Sequence, residues 1–274
     1  MSAIPDDTPG LIRTPHLALA LQGAHLLACQ LPGGNPLFLS SSAAYAPGRS
    51  VRGGIPIIFP WFGDAPAGSG LGAHGFARTS IWTLIDQSAD GRSVSLELTD
   101  TEATRALWPH AFRLVARIQV GDTLEIELET TNTGDAPFEF ESALHTYFAV
   151  TDTATTKLHG LEGATYLDKP DGFRPKTQGP DALQFSGEVD RVYSSNDATL
   201  RIEDRPAGRS LHISKRNAHT TIVWNPGPEK GCALSDLGPE WNRFVCVESA
   251  NAGTDAIRLE PGAVHTLCAT LRFD

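Results

Sequence analysis

The sequence predicts an all-β fold, a large antiparallel β-sandwich with few short helices. Apolar residues alternate with polar ones along many short segments, turn residues separate these segments, and helical periodicity is scarce. The 274 residues include 26 glycines and 19 prolines, which indicate frequent turns. Because no linker, repeat or charge run divides the chain, we expect one domain over residues 1–274, with a flexible tail over about the first ten residues.

The clearest strands form two hairpins. Alternate apolar residues run from Phe112 to Val120, a turn follows at Gly121 and Asp122, and the pattern resumes at Leu124. A second hairpin is predicted over residues 200–213, with its turn at 205–208. Further strands are expected at residues 81–85, 93–99, 220–224, 243–248 and 264–273.

Only two short helical segments are predicted. Asp100 is a candidate N-cap for a turn through Thr101 to Leu107, and Pro109 would end that turn. Residues 229–237 are expected to form the other segment.

Charge and composition exclude several classes of function. A formal net charge of −10 argues against a nucleic-acid binder, and a small anionic substrate would need a local cationic pocket. No apolar run approaches the roughly 20 residues of a membrane span, and the polar N-terminus lacks the apolar stretch of a secretory signal. None of the four cysteines forms a C-x-x-C pair, so we expect buried free thiols in a cytoplasmic protein. These cysteines are Cys29, Cys232, Cys246 and Cys268.

Two glycine-containing segments place arginines where a ligand could approach the backbone. In RGGIPIIFPWFG, two glycines follow Arg52, and in HGFAR, His74 and Arg78 flank a loop that precedes a strand. A rigid connection with a solvated arginine and a loop-capping histidine explain the same residues without a ligand.

The segment ESALHTYFAV, residues 141–150, predicts a strand with two different faces. Leu144, Phe148 and Val150 share the face expected to join the core, and His145 and Tyr147 share the other. Small residues beside a histidine and a tyrosine are typical of a cleft floor. A lone strand histidine is nevertheless often structural.

Three further segments are candidates for ligand contacts. Glu248 ends an otherwise apolar strand, where partial burial would raise its pKa towards the range of a general base. Asp190 could pair with Arg191 or accept hydrogen bonds from sugar hydroxyls. Trp224 and Trp241 could stack on a pyranose or simply join the core.

In combination, these segments resemble the hexose-6-phosphate mutarotases, or glucose-6-phosphate 1-epimerases, of the aldose 1-epimerase superfamily. The matching pieces run in order over residues 50–251. They are RGGIPIIFPWFG, HGFAR, TEATRALWPHAF, LHTYF, GEVDRVY, VWNP with a following EK, and CVESAN. The resemblance implies a galactose-mutarotase-like supersandwich and an isomerase that interconverts the α and β anomers of an aldohexose 6-phosphate.

The resemblance also implies a role for each matching residue. His145 corresponds to the general acid and Glu248 to the general base, and the substrate-binding positions are Arg52, His74, Arg78 and Asp190. Relatives often have glutamine before HGFAR, where this chain has Ala73. We expect a monomer that binds a small sugar phosphate, without a metal or other cofactor and without nucleic-acid or membrane partners.

Phosphate binding is assigned to two arginines. Arg52 and Arg78 offer planar, bidentate donors, and Lys215 and Arg216 are weaker candidates. Two alternatives stay open: an aldose 1-epimerase for unphosphorylated sugar, and a carbohydrate-binding sandwich without catalysis. A glycosidase fits less well because it commonly needs two carboxylates, whereas the strong candidates are one histidine and one glutamate.

Overall fold

The structure is a computed structural model of the protein, and it describes residues 4–65, 68–194 and 197–274. Strands dominate the described residues. They are β1 (Leu11–Arg13), β2 (Leu17–Ala20), β3 (His25–Cys29), β4 (Ile57–Ile58), β5 (Thr83–Gln87), β6 (Ser93–Thr99), β7 (Phe112–Val120), β8 (Leu124–Asn132), β9 (Phe138–Phe140), β10 (Ser142–Leu144), β11 (Tyr147–Ala149), β12 (Thr156–His159), β13 (Thr165–Asp168), β14 (Arg174–Thr177), β15 (Leu183–Gln184), β16 (Val189–Tyr193), β17 (Leu200–Asp204), β18 (Arg209–Arg216), β19 (Thr220–Asn225), β20 (Phe244–Asn251), β21 (Ile257–Leu259) and β22 (Val264–Phe273).

The helices of the described residues are short. The α-helices are α1 (Glu102–Leu107) and α2 (Gly227–Ala233). The 3₁₀ turns are Ala77–Thr79, Thr153–Thr155, Lys169–Asp171, Gly238–Arg243 and Gly253–Asp255. None of the helices in the described ranges has the length and apolarity needed to cross a lipid bilayer.

Two large sheets form the body of the fold. The nine-stranded sheet has the order β15-β12-β17-β18-β22-β8-β7-β6-β5. The eight-stranded sheet has the order β14-β13-β16-β19-β20-β10-β4, with β11 also paired to β20. Pairing between these strands is antiparallel throughout. The predicted antiparallel β-sandwich with few short helices is therefore confirmed.

The main apolar core contains side chains from both large sheets. Leu114 and Leu128 enter it from the nine-stranded sheet, and Phe148, Val245 and Val247 enter it from the eight-stranded sheet. Burying one apolar face of each sheet against the other accounts for the period-two pattern. The far face of the eight-stranded sheet is thereby left available for other groups.

Both predicted hairpins are present. Strands β7 and β8 pair with Phe112 opposite Asn132, and Gly121 N–H donates to the Thr123 carbonyl at 2.8 Å in their turn. Strands β17 and β18 form the second hairpin, closed through residues 205–208.

The helix predictions need correction at their beginnings. Thr101, not Asp100, caps α1, because its hydroxyl accepts a hydrogen bond from Thr104 N–H at 3.2 Å in a capping box. Asp100 instead pairs with Arg105 at 2.6 Å. The second helix begins at Gly227 and ends at Ala233, earlier than predicted.

Two further predictions differ in part from the structure. In the predicted tail, Ile4 and Thr8 are 7% exposed, whereas residues 5–7 and 9–10 are exposed, and residues 1–3 lie outside the described residues. All four cysteines are free thiols, but only three are buried. Cys232 is exposed because it lies on a solvent-facing position of α2.

Candidate active site

The register of the eight-stranded sheet places His145 opposite Glu248. Leu144 pairs with Ser249 and Tyr147 with Cys246, and the same register continues through the two residues between β10 and β11. Directly opposed residues of antiparallel strands point to the same face. The imidazole Nε2 of His145 accordingly lies 3.4 Å from the Glu248 carboxylate Oε1.

The predicted two faces of segment 141–150 are confirmed, but its strand is interrupted. Leu144, Phe148 and Val150 pack in the main core, whereas His145 stacks on Tyr147 on the other face, with ring centroids 5.0 Å apart. The strand is interrupted at His145 and Thr146, where the Thr146 N–H donates back to the Leu144 carbonyl at 2.9 Å and the His145 N–H donates to the Pro56 carbonyl at 3.0 Å. The RGGIPIIFPWFG segment, which contains Pro56, therefore contacts the backbone of His145 itself.

The pair is buried and incompletely hydrogen-bonded. The side chains of His145 and Glu248 are 11% and 1% exposed, and His145 Nδ1 and Glu248 Oε2 have no hydrogen-bond partner. Leaving a buried polar atom without a partner costs about 1–3 kcal/mol. Two such atoms on neighbouring side chains are suited to a ligand that supplies the missing partners.

Burial shifts the pKa of both groups towards their neutral forms. It raises the pKa of Glu248 well above its usual value, and the Asp190 carboxylate adds to the effect. It lowers the pKa of His145 well below its usual value, and His74 and the Arg78 guanidinium add to this. Burial and these neighbours therefore favour the neutral forms of both side chains.

The RGG segment places Arg52 beside Tyr147, on the same face of the sheet as His145. Gly53 and Gly54 have φ values of 121° and 61°, and a Cβ on them would lie 2.5 Å from the Phe38 carbonyl oxygen and 2.3 Å from that of Leu26. The buried His25 imidazole donates from Nε2 to the Gly53 carbonyl at 2.8 Å. Glycine is thus required at both positions, and His25 supports the segment from below.

Arg52 is held by two protein groups. Its Nη1 donates to the Tyr147 hydroxyl at 3.0 Å, and its Nη2 lies 3.1 Å from the Asp236 carboxylate. Its Nε is buried and has no partner. The Asp236 carboxylate neutralises much of the Arg52 charge, and no local sequence feature indicated this contact.

The HGFAR segment brings His74 next to His145. The two ring centroids are 5.8 Å apart, and His74 has a φ of 67°. Gly63 N–H donates to His74 Nδ1 at 3.3 Å, so the neutral ring carries its proton on Nε2. Burial, reinforced by Arg78 and Lys169, lowers the pKa of His74 to about 3, which keeps the ring neutral.

Arg78 supplies a cationic group without a carboxylate partner. Its Nη2 donates to the Ala73 carbonyl at 2.9 Å, and no carboxylate of the described ranges forms an ion pair with it. Burial lowers the pKa of the guanidinium. A partly buried, unneutralised guanidinium is suited to an anionic ligand.

Asp190 reaches the same face from β16. It is opposite Trp224 of β19, which is opposite Cys246 of β20, so its side chain points to the side of Glu248. The residue is 8% exposed, and burial raises the pKa of its carboxyl. Its ion-pair partner is Lys169 at 3.5 Å, not Arg191, which donates to the Gln178 side chain at 2.9 Å.

Not all candidate residues meet at this site. Lys215 donates to the Thr220 carbonyl and the Thr221 hydroxyl, which gives it a structural role, and Arg216 pairs with Glu127 on the nine-stranded sheet. Trp224 does border the site, with its ring centroid 6.0 Å from that of His145. Trp241 instead packs on Gly231 of α2.

Lys169 and Asp236 were not among the residues predicted for the site. Both lie in turns whose local pattern indicates only solvent-facing charge, and their site contacts depend on how those turns pack. Within the described ranges, no group of three or more His, Cys, Asp or Glu side chains could hold a metal ion.

Comparison with known proteins shows what the chain is similar to. A family model described as aldose 1-epimerase matches residues 13–271. A protein of Escherichia coli K12, provisionally named a glucose-6-phosphate 1-epimerase, is 39% identical over 239 residues, covering 86% of this chain and 79% of the relative. A similarly named protein of Salmonella typhimurium is 38% identical over 262 residues, covering 93% and 87% of the two chains.

A solved structure agrees with these relatives. The crystal structure of a protein of Salmonella typhimurium, provisionally described as a mutarotase, superimposes with a TM-score of 0.88 at 35% identity. The match covers 96% of this chain and 89% of that one.

Proposed function

The chain belongs to the aldose 1-epimerase family, and from that premise we propose that it interconverts the α and β anomers of an aldohexose 6-phosphate, with glucose 6-phosphate as the substrate. The contact between His145 and Glu248 carries this proposal. Opening a sugar ring at C1 requires one group that accepts a proton and one that donates it, close to each other. Glu248 can accept a proton and His145 can donate one, and their Oε1 and Nε2 atoms lie 3.4 Å apart on one face of the sheet.

The proposed reaction moves two protons and breaks one bond. Glu248 takes the proton from the C1 hydroxyl, the C1–O5 bonding electrons go to O5, and His145 donates a proton to O5. The resulting open-chain aldehyde rotates about its C1–C2 bond and recloses on the other face of C1 with the two roles reversed. Each proton transfer contributes about 10²- to 10⁴-fold, which suits a reaction that already proceeds in water.

The phosphate of the substrate supports the protonation state that this reaction needs. Arg52 and Arg78 both lower the pKa of His145, and a phosphate dianion next to them offsets their charge. The imidazolium form of His145 then becomes more favourable, and Glu248 can act as the base. Arg78, which lacks a carboxylate partner, is the stronger of the two phosphate-binding candidates.

His74 and Asp190 complete the proposed substrate contacts. The neutral His74 ring presents its Nε2–H as a donor, and the Asp190 carboxylate accepts hydrogen bonds from sugar hydroxyls. This combination of one donor and one acceptor can orient the sugar ring relative to the acid/base pair.

An anomer-exchange assay tests the proposal. Freshly dissolved α-glucose 6-phosphate is followed by polarimetry or NMR line shape with the wild-type protein and with His145→Ala. We expect the wild type to accelerate exchange and the variant to lose about 10²-fold or more of that acceleration. A wild-type protein without acceleration, or a fully active variant, contradicts the proposal.

One observation favours a second candidate function. The Asp236 carboxylate neutralises Arg52 in the unliganded protein, which would suit a neutral sugar better than a phosphate. The chain would then be an aldose 1-epimerase for unphosphorylated hexoses. A higher kcat/KM on glucose than on glucose 6-phosphate in the same assay would support this candidate.

We further propose that the protein acts in the cytoplasm as a monomer consisting of one domain. Size-exclusion chromatography with light scattering tests the oligomeric state, with a mass near 29.3 kDa expected for a monomer.

A further inference from the structure

Two lysines of one hairpin differ in how fully their charges are neutralised. Lys176 on β14 contacts the carboxylates of Asp168 and Asp171 at 2.6 and 2.9 Å. Lys169, in the 3₁₀ turn that joins β13 to β14, has the Asp190 carboxylate at 3.5 Å as its ion-pair partner and a side chain 41% exposed. An ammonium group has three N–H donors, so Lys169 retains donors for a ligand whereas Lys176 is engaged by its hairpin.

The partly exposed ammonium of Lys169 lies beside the site, at its contact with Asp190. Its partner Asp190 is on the same face of the sheet as Glu248 and has a side chain only 11% exposed. The charge of Lys169 also acts on His74 and Glu248, and that of Arg78 acts on the same two groups. Lys169 and Arg78 therefore both lie within electrostatic reach of the acid/base pair.

The charge balance of the site leaves room for a second phosphate-binding cation. Asp236 offsets Arg52 and Asp190 offsets part of Lys169, whereas Arg78 forms no ion pair with a carboxylate of the described residues. A sugar phosphate dianion needs more than one positive charge when it enters a partly buried site. Lys169, at the exposed side and with a long contact to Asp190, can supply that charge without breaking a short hydrogen bond.

We propose that Lys169 is a further substrate-binding residue, whose ammonium binds the phosphate of the sugar together with Arg78, while Asp190 orients it. This inference rests on the proposed action on a hexose 6-phosphate. Lys169 thereby favours phosphorylated over free sugars, and it takes no part in the proton transfers.

Calorimetric titration with two unreactive analogues tests this role. The compound 1,5-anhydroglucitol 6-phosphate lacks the anomeric hydroxyl and cannot react, and 1,5-anhydroglucitol lacks the phosphate as well. In Lys169→Met, the Kd for the phosphorylated analogue should rise about tenfold or more, whereas that for the free analogue should stay unchanged. Lys169→Arg should restore most of the affinity, because it keeps the charge.

Lys176→Met is the matched control, since it removes a lysine from the same hairpin. It should leave both affinities unchanged. An equal loss for both analogues in Lys169→Met would overturn the phosphate role and assign Lys169 to the sugar ring. The same loss in Lys176→Met would show that hairpin shape is responsible, which also overturns it.

The anomer-exchange assay separates this inference from the proposed function. If the wild type accelerates exchange of glucose 6-phosphate but Lys169→Met binds the phosphorylated analogue normally, only the role of Lys169 is wrong. If the wild type accelerates no exchange, the proposed function itself is wrong.

Discussion

The two large sheets each bury one face in the main core, but their other faces differ. On the nine-stranded sheet, charged residues of neighbouring strands form partly exposed ion pairs, such as Arg117 with Glu129 at 3.0 Å. On the eight-stranded sheet, the corresponding face carries His145 and Glu248, which are nearly inaccessible and retain polar atoms without partners.

The difference arises from the loops, since both sheets have the same alternation of side chains. The RGG segment, HGFAR and the 3₁₀ turn at Lys169–Asp171 contact one face, where they bring Arg52, His74 and Lys169 next to strand residues. Removing water from polar strand residues shifts their pKa and leaves hydrogen-bonding capacity for a ligand. A covered polar face therefore becomes a site, whereas an uncovered one only provides solubility.

The largest expected effect is on catalysis. Glu248→Gln keeps the size of the side chain but removes its basicity, so we expect the rate of anomer exchange to fall about 10²- to 10⁴-fold. The matched variant on the other sheet is Glu129→Gln, which should keep the full rate and cost at most about 1 kcal/mol of stability. Equal rate losses in the two variants would contradict the inference that only the polar face of the eight-stranded sheet carries the catalytic site.

The next effect concerns the core face that both sheets share. Leu114 is fully buried in the main core, so Leu114→Ala should lower the free energy of unfolding by about 2–5 kcal/mol. Urea unfolding measures this change. The variant should retain its exchange rate where it is folded, because Leu114 belongs to the sheet without the site. A large loss of rate in the folded variant would show that the two sheets are more tightly coupled than we infer.

The third effect concerns His25, which lies beneath the RGG segment and donates a hydrogen bond to its Gly53 carbonyl. Burial lowers the pKa of His25 to about 4, whereas the unfolded chain has the ordinary value of 6.5. Between these values the unfolded state binds more protons, so the free energy of unfolding should fall as the pH decreases from 6.5 to 4, by about 3 kcal/mol in total from this residue.

Urea unfolding between pH 8 and pH 4.5 measures that dependence, with His25→Gln as the comparison. The variant cannot titrate at this position, so its stability should decrease less steeply below pH 6.5 than that of the wild type. Identical slopes would contradict the assignment to His25.

Local pattern was sufficient for much of the fold. The hairpin that begins at Phe112 and the two faces of residues 141–150 were predicted correctly, because side-chain alternation depends on the backbone geometry of the strand itself. The cap of α1 was misassigned to Asp100, since adjacent Asp and Thr are both good caps and the Thr104 contact decides between them.

The site was harder to predict in physical terms. Alternation places His145 and Glu248 on a face, but their contact follows from the pairing register, which local pattern does not specify. The salt bridge of Arg52 with Asp236 and that of Lys169 with Asp190 join segments distant in the chain. The low pKa of His145 depends on burial under loops, which no single segment shows.

The register between the broken strand β10–β11 and β20 restricts how this protein can change over generations. Gaining or losing one residue in either strand would turn the imidazole or the carboxylate from its present side into the main core. Inherited changes of length should therefore be eliminated from these strands but accepted in the turns that carry Lys169 and Asp236. Descendants of this chain can then acquire new substrates through their turns while they retain the same proton chemistry.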